Sequence, residues 1–272
     1  MPELPEVETT CRGISPLVTN LPITGVRVHD ARLRWPVPVR RLEQRLPGSS
    51  FVSVRRRAKY LLLDTGRGHV IIHLGMSGSL RVVDSDTPLE KHDHVEILLA
   101  DRHSLRLRDP RRFGAVLWTE EDPALHKLIA HLGPEPLGPD FTSEHLHRAT
   151  RKRRQAIKSV IMDARTVVGV GNIYACESLF RAGIRPGRAA GRLSRMESQR
   201  LTAEIRQVLK EAIHAGGTTL RDFANSDGKP GYFKQSLYVY GRENEACQRC
   251  DTSIKRRIIG QRSTFYCPDC QK

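Results

Sequence analysis

The spacing of hydrophobic residues divides the chain into helical and strand-rich segments, and the first segment is helical. Behind Pro5, a residue suited to the first turn of a helix, Val7, Cys11 and Ile14 are spaced i, i+4 and i+7. This spacing puts the three side chains on one face. It predicts a helix over residues 5–18, with Cys11 as a core thiol.

From about residue 23 to residue 119 the pattern changes to short β-branched runs separated by turn residues. The predicted strands are residues 26–28, 51–54, 60–64, 70–74, 80–83, 94–99, 105–108 and 115–118. No helix is predicted between them. So many short strands without intervening helices are typical of an antiparallel β-sandwich or barrel.

Helical spacing returns after Gly133-Pro-Glu-Pro136, which predicts a linker. Helices are predicted over 152–164 and over 173–182, where Gly183 ends the second. The first has an apolar face formed by Ile157, Val160, Ile161 and Ala164. Between the two, residues 167–172 read Val-Val-Gly-Val-Gly-Asn. The glycines suit either a phosphate cradle or a tight interhelical turn, and both interpretations stay open.

The third predicted helix has the clearest limits. Ser194 and Glu197 have the spacing of a capping box at its start, and Gly216-Gly217 ends it. Its apolar stripe consists of Leu201, Ile205, Val208, Leu209 and Ala212. The chain therefore predicts a strand-rich first part and a helical second part.

The charge of the chain indicates its partner. Its 272 residues include 45 Lys and Arg against 30 Asp and Glu, a net charge of +15, which favours a polyanion because phosphates form charge-assisted bonds with clustered cations. An anionic membrane surface is the weaker alternative. No apolar run approaches the roughly 18 residues of a spanning helix, and Glu3, Glu6 and Glu8 do not suit a signal peptide. We therefore expect a cytoplasmic protein.

Four of the six cysteines have the spacing of a metal site, C-x2-C-x16-C-x2-C. They are Cys247, Cys250, Cys267 and Cys270. Such pairs present four thiolates tetrahedrally, as a structural Zn²⁺ requires, and disulfides are disfavoured in a cytoplasmic chain. The sequence predicts a zinc ribbon holding one Zn²⁺, with a basic hairpin between the pairs that contains Lys255, Arg256, Arg257 and Arg262. A ribbon that only caps the C-terminus is the alternative.

The start of the chain carries candidate chemistry, because Pro2 directly follows Met1 and Glu3 is beside it. Removal of Met1 would leave a secondary amine, and an α-amino pKa of about 8 gives a neutral fraction at cellular pH. Such an amine can attack a sugar C1′ and form an iminium ion. The alternative is a proline that only begins a helix, a position where proline is common.

Eight motifs occur together in this chain. They are PELPEVE after Met1, HLGMSG at 73–78, KHDH at 91–94, DPRRFG at 109–114, VGVGNIY at 168–174, GGTTLRDF at 216–223, VYGR at 239–242 and QRSTFYC at 261–267. In combination they closely resemble bacterial formamidopyrimidine-DNA glycosylase, the 8-oxoguanine glycosylase and AP lyase. The resemblance covers essentially the whole chain.

The resemblance implies a multidomain α+β fold with damaged double-stranded DNA between its halves. Its parts are an N-terminal catalytic antiparallel β-sandwich (1–133), a helix-two-turns-helix DNA-binding domain (134–233) and a C-terminal zinc ribbon or zinc finger (234–272). It implies base-excision repair: removal of 8-oxoguanine and formamidopyrimidines, then AP lyase β,δ-elimination. We expect a monomer in the cytoplasm, associated with the nucleoid and not with a membrane.

The resemblance also implies catalytic roles. Pro2 matches the Schiff-base nucleophile, and Glu3 matches the acid/base that assists glycosidic cleavage. Lys59 matches a proton donor in β-elimination near the lesion's phosphate. Arg262, on the zinc hairpin, matches a residue that grips phosphate and assists δ-elimination.

Further positions match residues that contact DNA in the family. Asn172 matches a phosphate ligand, His92 and Arg153 match backbone contacts, and Arg111 matches the residue that faces the partner base. Thr218 and Thr219 fall in the loop expected to close over the everted base. Three more predicted DNA-binding residues lie in matching motifs: His73, Lys158 and Tyr240.

The chemistry of base removal, independently of the resemblance, requires side chains that enter the DNA base stack as a wedge. A damaged base inside a duplex cannot be reached, so the enzyme must flip it out and fill the gap with apolar side chains. Met76 and Phe113 suit that role, and Arg111 can hydrogen-bond the orphaned base. Each apolar residue alone would more often be core, and the basic runs beside Lys59 and Arg153 also suit a solvated face or a nonspecific phosphate patch.

Two alternatives to this function stay open. An endonuclease VIII-like relative would prefer oxidised pyrimidines, but Leu4 and the Arg-Arg-Phe run that ends at Phe113 favour the purine enzyme. A noncatalytic zinc-ribbon protein would bind DNA without cleaving it. Cys176 stands where serine is usual in the family, and we interpret it as a small, semi-buried residue.

Overall fold

The structure is a computed structural model that describes residues 2–217 and 237–272. The chain divides into two compact units. Of the described residues, 2–130 and 215–217 belong to the first unit, and 131–214 and 237–272 belong to the second. Within these described ranges, no helix is long and apolar enough to cross a membrane.

The described residues of the first unit form an antiparallel sandwich together with the α-helices α1 (Leu4–Val18) and α2 (Val39–Arg45). Its strands are β1 (Ile23–Val28), β2 (Ser53–Arg57), β3 (Tyr60–Asp64), β4 (His69–His73), β5 (Ser79–Asp84), β6 (Asp93–Leu99), β7 (His103–Arg108) and β8 (Ala115–Thr119). They form two four-stranded sheets, ordered β1-β6-β7-β5 and β2-β3-β4-β8. The predicted sandwich is confirmed, with shifts at several strand ends.

One hydrophobic core joins both sheets and α1. Alternate strand residues enter it, such as Leu61 and Leu63 on β3 and Ile97 and Leu99 on β6, because side chains on a strand alternate between its two faces. Cys11 is 7 % exposed and packs in the same core, as its helical spacing predicts. The core therefore fixes the strand ends from which the connecting loops start.

Helix α2 was not predicted. Of its seven residues only Leu42 is buried, so the sequence carries no apolar stripe there. Leu42 and Leu46 both reach the sandwich core. Tertiary packing, rather than a periodic pattern, accounts for this short helix.

The second unit contains helices α3 (Ser143–Thr150), α4 (Ile157–Ile161), α5 (Asn172–Arg181) and α6 (Arg195–His214) and the strands β9 (Lys255–Ile259) and β10 (Arg262–Tyr266). The predictions of α5 and α6 are confirmed. Gly183, with φ of +68°, follows α5. At the start of α6, Ser194 N donates to a Glu197 carboxylate oxygen at 2.8 Å and Glu197 N donates to Ser194 Oγ at 3.2 Å, which completes the predicted capping box.

The predicted helix over 152–164 is wrong in extent, because α4 covers only Ile157–Ile161. Lys152 has a left-handed φ of +61°, which a regular helix does not accommodate. Ala156 instead pairs with Ala189 in an isolated bridge. Helix α3, directly before this segment, was not predicted.

The predicted linker is bonded to the second unit. Gly133 N donates to Ala164 O at 2.8 Å, and Val168 N donates to Pro134 O at 3.1 Å. The chain passes from the first unit to the second between Ala130 and His131, and it returns to the first between His214 and Ala215. The limits of the three domains, 1–133, 134–233 and 234–272, remain a prediction.

Candidate active site and nucleic-acid interface

The N-terminal residues of the first unit are buried at the start of α1. Pro2 is buried, and Glu3 and Glu6 are 2 % and 0 % exposed. Glu3 N donates to a Glu6 carboxylate oxygen at 2.8 Å, which fixes the chain direction at the helix start. A Cβ on Gly217 would lie 3.2 Å from Glu6 Oε1, so Gly217 lies close to this carboxylate. The structure thus holds Glu3 at the N-cap of α1, directly after the buried Pro2.

Lys59 lies in the two-residue turn between β2 and β3. Its neighbour Ala58 has a φ of +53°, and the flanking residues Arg57 and Tyr60 are paired across the strands. Tyr60 also pairs with His73 on β4, with ring centroids 4.9 Å apart. This turn therefore brings two predicted site residues, Lys59 and His73, to the same end of one sheet.

His73 is held neutral. Burial, together with the nearby positive charges of Lys59 and Arg34, lowers the pKa of His73 to about 4. Its Nδ1 accepts a hydrogen bond from Gly75 N at 2.9 Å. The neutral ring therefore carries its proton on Nε2, which makes that atom a donor.

The predicted wedge residues come together on two loops. We call residues 74–78 and 109–114, which carry Met76, Arg111 and Phe113, the wedge loops. The Arg111 guanidinium lies 5.0 Å from the Phe113 ring centroid, and the Phe113 side chain is exposed. Gly75 allows the loops to touch, because a Cβ there would lie 2.4 Å from Phe113 C. The structure therefore places the Arg111 and Phe113 side chains in contact, and Met76 follows the glycine at which the two loops touch.

His92 lies next to the wedge loops, and its backbone O accepts from Asp109 N at 3.0 Å. Its φ is +79°, a conformation that non-glycine residues seldom adopt. Partial desolvation and the charges of Lys91 and other nearby cations lower the pKa of His92, which favours the neutral ring. It can donate one hydrogen bond to a phosphate without adding a full charge.

In the second unit, two predicted residues bind one carbonyl of the zinc hairpin. We call residues 255–266 the finger hairpin. Asn172 Nδ2 donates to Ser263 O at 2.9 Å, and Lys158 Nζ donates to the same oxygen at 3.2 Å and to Thr264 Oγ1 at 2.6 Å. Lys158 is 1 % exposed. Its ammonium therefore supports the hairpin, and its predicted contact with DNA remains a prediction.

Asn172 keeps a free acceptor at this position. It is the first residue of α5, and its Oδ1 is buried with no hydrogen-bond partner among the described residues. Its Nδ2 also lies 3.5 Å from Tyr240 Oη, and the Tyr240 ring meets Phe265 edge-on at 5.1 Å. Asn172 and Tyr240 thus border the strand that carries Arg262.

Arg262 begins β10 with an exposed side chain, opposite Ile259. Arg153 lies in the turn before α4, with Nη1 at 3.7 Å from an Asp163 carboxylate oxygen. This half-exposed ion pair leaves Arg153 able to exchange its partner for a phosphate. Thr218 and Thr219 lie outside the described residues.

The four predicted zinc ligands converge. Their Sγ atoms all lie within 4.8 Å of one another. Cys247 and Cys270 are 3.9 Å apart, and Cys250 lies 3.4 Å from both Cys267 and Cys270. A tetrahedral zinc site with bonds of about 2.3 Å has sulfur atoms about 3.8 Å apart, so these residues fit one Zn²⁺.

Backbone amides complete the metal site. Arg249 N points to Cys247 Sγ at 3.5 Å and Cys270 N points to Cys267 Sγ at 3.4 Å, as donors that stabilise thiolates. The second cysteine pair is also attached to the helical part, because buried Gln271 donates to Ile184 O at 2.8 Å. The prediction of a single structural zinc site is confirmed.

Glu177 on α5 was missed by the sequence analysis. It is 1 % exposed and accepts from the backbone amides of Tyr238, Val239 and Tyr240 at 2.8–3.0 Å. Burial raises the pKa of Glu177 while the three donors act in the opposite direction. Cys176 beside it is fully buried, rather than semi-buried, in a cluster with Cys247 and Cys267. The signal in the sequence that could have revealed Glu177 is its position as a single charged residue among apolar neighbours.

Comparison with known proteins explains this combination of sites. Family models for the formamidopyrimidine-DNA glycosylase N-terminal domain, its H2TH domain and the zinc finger found in FPG and IleRS match residues 1–116, 132–224 and 244–272. The chain belongs to the formamidopyrimidine-DNA glycosylase family. Relatives with that name from Thioalkalivibrio sulfidiphilus and Syntrophotalea carbinolica are 60 % and 57 % identical over the full length of both chains.

Solved structures of formamidopyrimidine-DNA glycosylases match over the same length. The Thermus thermophilus MutM (Fpg) protein is 37 % identical, with a TM-score of 0.88 over 99 % of this chain and 98 % of that one. A Lactococcus lactis Fpg complex with abasic-site DNA is 31 % identical, with a TM-score of 0.92 over 99 % of both chains. The endonuclease VIII-like alternative is therefore not favoured.

Proposed function

We propose that this chain removes oxidised purines, 8-oxoguanine and formamidopyrimidines, from duplex DNA and then cleaves the strand by β,δ-elimination through a Schiff base on Pro2. It is a base-excision repair glycosylase that acts on damaged DNA. The observation that carries the residue assignment is the burial of Pro2 and Glu3 side by side at the start of α1. The relatives' names and the DNA complexes of L. lactis Fpg support the substrate class.

The chemistry follows from these residues. With Met1 removed, the Pro2 nitrogen attacks C1′ and displaces the base, which leaves with a proton. Glu3 then donates a proton to the ring oxygen O4′ as the sugar ring opens and the iminium forms. The resulting iminium acidifies C2′, so a water molecule acting as base takes the C2′ proton and the C3′–O bond to the 3′ phosphate breaks. Lys59 donates a proton to the departing phosphate oxygen, and Arg262 holds the phosphate lost in the second elimination.

The DNA contacts divide by chemistry. Arg153, Asn172 and Arg262 bind phosphates and set the register without reading sequence. His73, His92 and Tyr240 add uncharged donors, while Met76, Arg111 and Phe113 occupy the gap left by the flipped base. Thr218 and Thr219 are proposed to lie over that base. We place the enzyme in the cytoplasm as a monomer close to the nucleoid, with the domain limits 1–133, 134–233 and 234–272.

Borohydride trapping tests the nucleophile. The processed protein, incubated with an 8-oxoguanine duplex and borohydride, should form a covalent adduct that peptide mapping places on Pro2. An uncleaved N-terminal tag should abolish the adduct and leave binding to undamaged DNA intact. The matched control is the same tagged protein after proteolysis that restores Pro2 as the first residue.

Three outcomes would contradict the proposal. Normal adduct yield from the uncleaved protein would exclude the Pro2 amine. Binding without any strand cleavage by the processed protein would favour the noncatalytic alternative, and faster excision of an oxidised pyrimidine would overturn the purine preference.

A further inference from the structure

Asp109, directly after β7, is a carboxylate with 0 % exposure that the chemistry above does not use. One of its oxygens, Oδ1, accepts from Ser77 Oγ at 2.7 Å and from Arg111 N at 3.3 Å. The other, Oδ2, accepts from Gly114 N at 2.7 Å. An ionised carboxylate has acceptors only, so it matches three donors from two loops.

Ser77 closes the connection between the wedge loops. It is 2 % exposed, and its Oγ donates to Asp109 while accepting from Arg111 N at 3.1 Å. Ser77 directly follows Met76, so the serine that binds Asp109 is next to one wedge residue. Arg111 and Gly114 bracket the other, Phe113. The side chain of Asp109 thus bonds on either side of the wedge.

The backbone of Asp109 holds a third segment. Asp109 N donates to His92 O at 3.0 Å, and His94 Nε2 lies 2.9 Å from Asp109 O. His92 is a predicted contact with the DNA backbone. One residue therefore connects the segment that meets the phosphates with the two loops that enter the base stack.

We propose that Asp109 is a positioning residue that holds Met76, Arg111 and Phe113 as one preformed wedge and sets its position relative to His92. The inference deepens the proposed function and rests on it. Without Asp109 the donors on Ser77, Arg111 and Gly114 would be buried without an acceptor, and the loops would rearrange to satisfy them. The wedge would then have to be ordered at each base-flipping event.

Asp109→Asn is the informative change, because the amide keeps the shape but offers one acceptor and one donor. Because Arg111 N and Gly114 N donate to different carboxylate oxygens, one of these two backbone amides then faces the side-chain NH₂ group of the asparagine and loses its acceptor. We expect excision of 8-oxoguanine opposite cytosine in duplex DNA to fall by up to roughly 100-fold, the loss that a misplacement of about 1 Å can cause. The cytosine-to-adenine ratio should fall toward one, because Arg111 loses its fixed position.

A second substrate separates positioning from chemistry. Strand cleavage of a single-stranded oligonucleotide with a preformed abasic site needs no wedge, so Asp109→Asn should cleave it at the wild-type rate. The fluorescence of 2-aminopurine placed beside the lesion should report slower opening of the duplex in the variant. A purely structural role would lower both activities together.

Glu96→Gln is the matched control. Glu96 is also buried, at 2 % exposure, and accepts from Arg106 Nε at 2.9 Å, but it contacts neither wedge loop in the described hydrogen bonds. Its variant should lose thermal stability without a change in the cytosine-to-adenine ratio. If Asp109→Asn does not fold, Ser77→Ala takes its place, and we expect a smaller fall in the same ratio.

The outcomes are decisive in both directions. A folded Asp109→Asn, or failing that Ser77→Ala, with the wild-type ratio and the wild-type duplex rate would overturn the inference. Equal losses on duplex and single-stranded substrates would overturn it as well. A wild-type protein that is inactive on both substrates would overturn the proposed function itself.

Discussion

The wedge loops and the finger hairpin hold their predicted DNA-contacting side chains by different means. The wedge loops start from strands of the sandwich core and are bonded to Asp109, which is fully buried. The finger hairpin has little core of its own, since four of the five residues of β9 are exposed. It depends on the cysteine cluster and on bonds from Lys158 and Asn172 to Ser263 O.

Because of this difference, we expect the wedge loops and the finger hairpin to lose their structure under different conditions. Hydrophobic burial and internal hydrogen bonds stabilise the wedge loops, so metal removal should leave them intact. Ligand binding and folding are one equilibrium in a small metal module. Chelators should therefore unfold the finger hairpin. Acid and point substitutions should instead affect the first unit, which carries the wedge loops.

The largest expected effect follows metal removal. Structural zinc supplies roughly 10 to 16 kcal/mol of apparent binding energy in finger peptides, so its loss should unfold residues 244–272 and abolish DNA binding. Zinc content, DNA affinity and a thermal melt of the first unit measure this. Cys267→Ser should reproduce the loss, whereas Cys11→Ser, which alters a thiol outside the cluster, should retain zinc. Full DNA affinity in the metal-free protein would contradict it.

Acid should destabilise the first unit, because His73 lies directly before the first wedge loop. The pKa of His73 is about 4 in the folded protein against an ordinary 6.5, so the unfolded chain binds more protons between these values. Stability is therefore complete above pH 6.5 and falls by up to about 3 kcal/mol as the pH approaches 4. Denaturant unfolding of wild type and His73→Gln across this range measures it. An equal loss in both proteins would assign the effect to other groups.

Arg111→Ala should change partner selection by roughly 1 to 3 kcal/mol, the range for a good base contact. Arginine has donors only, and the exposed edge of cytosine offers acceptors at O2 and N3, whereas adenine presents a donor beside its one acceptor. Excision opposite cytosine should fall far more than opposite adenine. Met76→Ala should lower both in proportion, because apolar wedges stack on any base.

Single-turnover excision for the two pairings measures this effect. An unchanged cytosine-to-adenine ratio in Arg111→Ala would place partner discrimination elsewhere. A changed ratio in Met76→Ala would show that the apolar residue also takes part in selection.

The smallest effect concerns one phosphate. Arg262→Ala should weaken binding to all sequences and reduce the salt slope by about one unit, because one fewer counterion is released. Arg45→Ala is the control, since Arg45 is an exposed arginine of the first unit paired with Glu120 at 2.8 Å. An unchanged slope in Arg262→Ala would exclude a phosphate contact.

Local patterns in the sequence were sufficient for much of the fold. The eight strands, α1, α5 and α6 follow from period-two and period-3.6 spacing, and the capping box at Ser194 and Glu197 is present as predicted. The zinc site was predictable because four ligands within short loops need little tertiary context. The sequence analysis grouped Met76, Arg111 and Phe113 by their chemistry, and their two loops touch at Gly75 and Phe113.

Other elements depend on residues distant in sequence. Helix α2 forms because Leu42 finds the sandwich core, and the predicted helix over 152–164 is shortened where Ala156 pairs with Ala189. The contact of Lys158 with DNA remains a prediction, and only the structure shows that its ammonium bonds to Ser263 and Thr264, more than 100 positions later in the chain. No local spacing contains that information.

The sequence by itself determined which residue types are present for the proposed chemistry: a proline directly after Met1, an adjacent carboxylate, an excess of basic residues and four cysteines with zinc-site spacing. These features are properties of residue types and short spacings. Only the tertiary structure decided how the side chains are held, because burial and hydrogen-bond partners arise when distant segments pack together. Asp109 shows the difference, since its sequence neighbours indicate a loop, and only packing shows that one carboxylate binds donors from Ser77, Arg111 and Gly114.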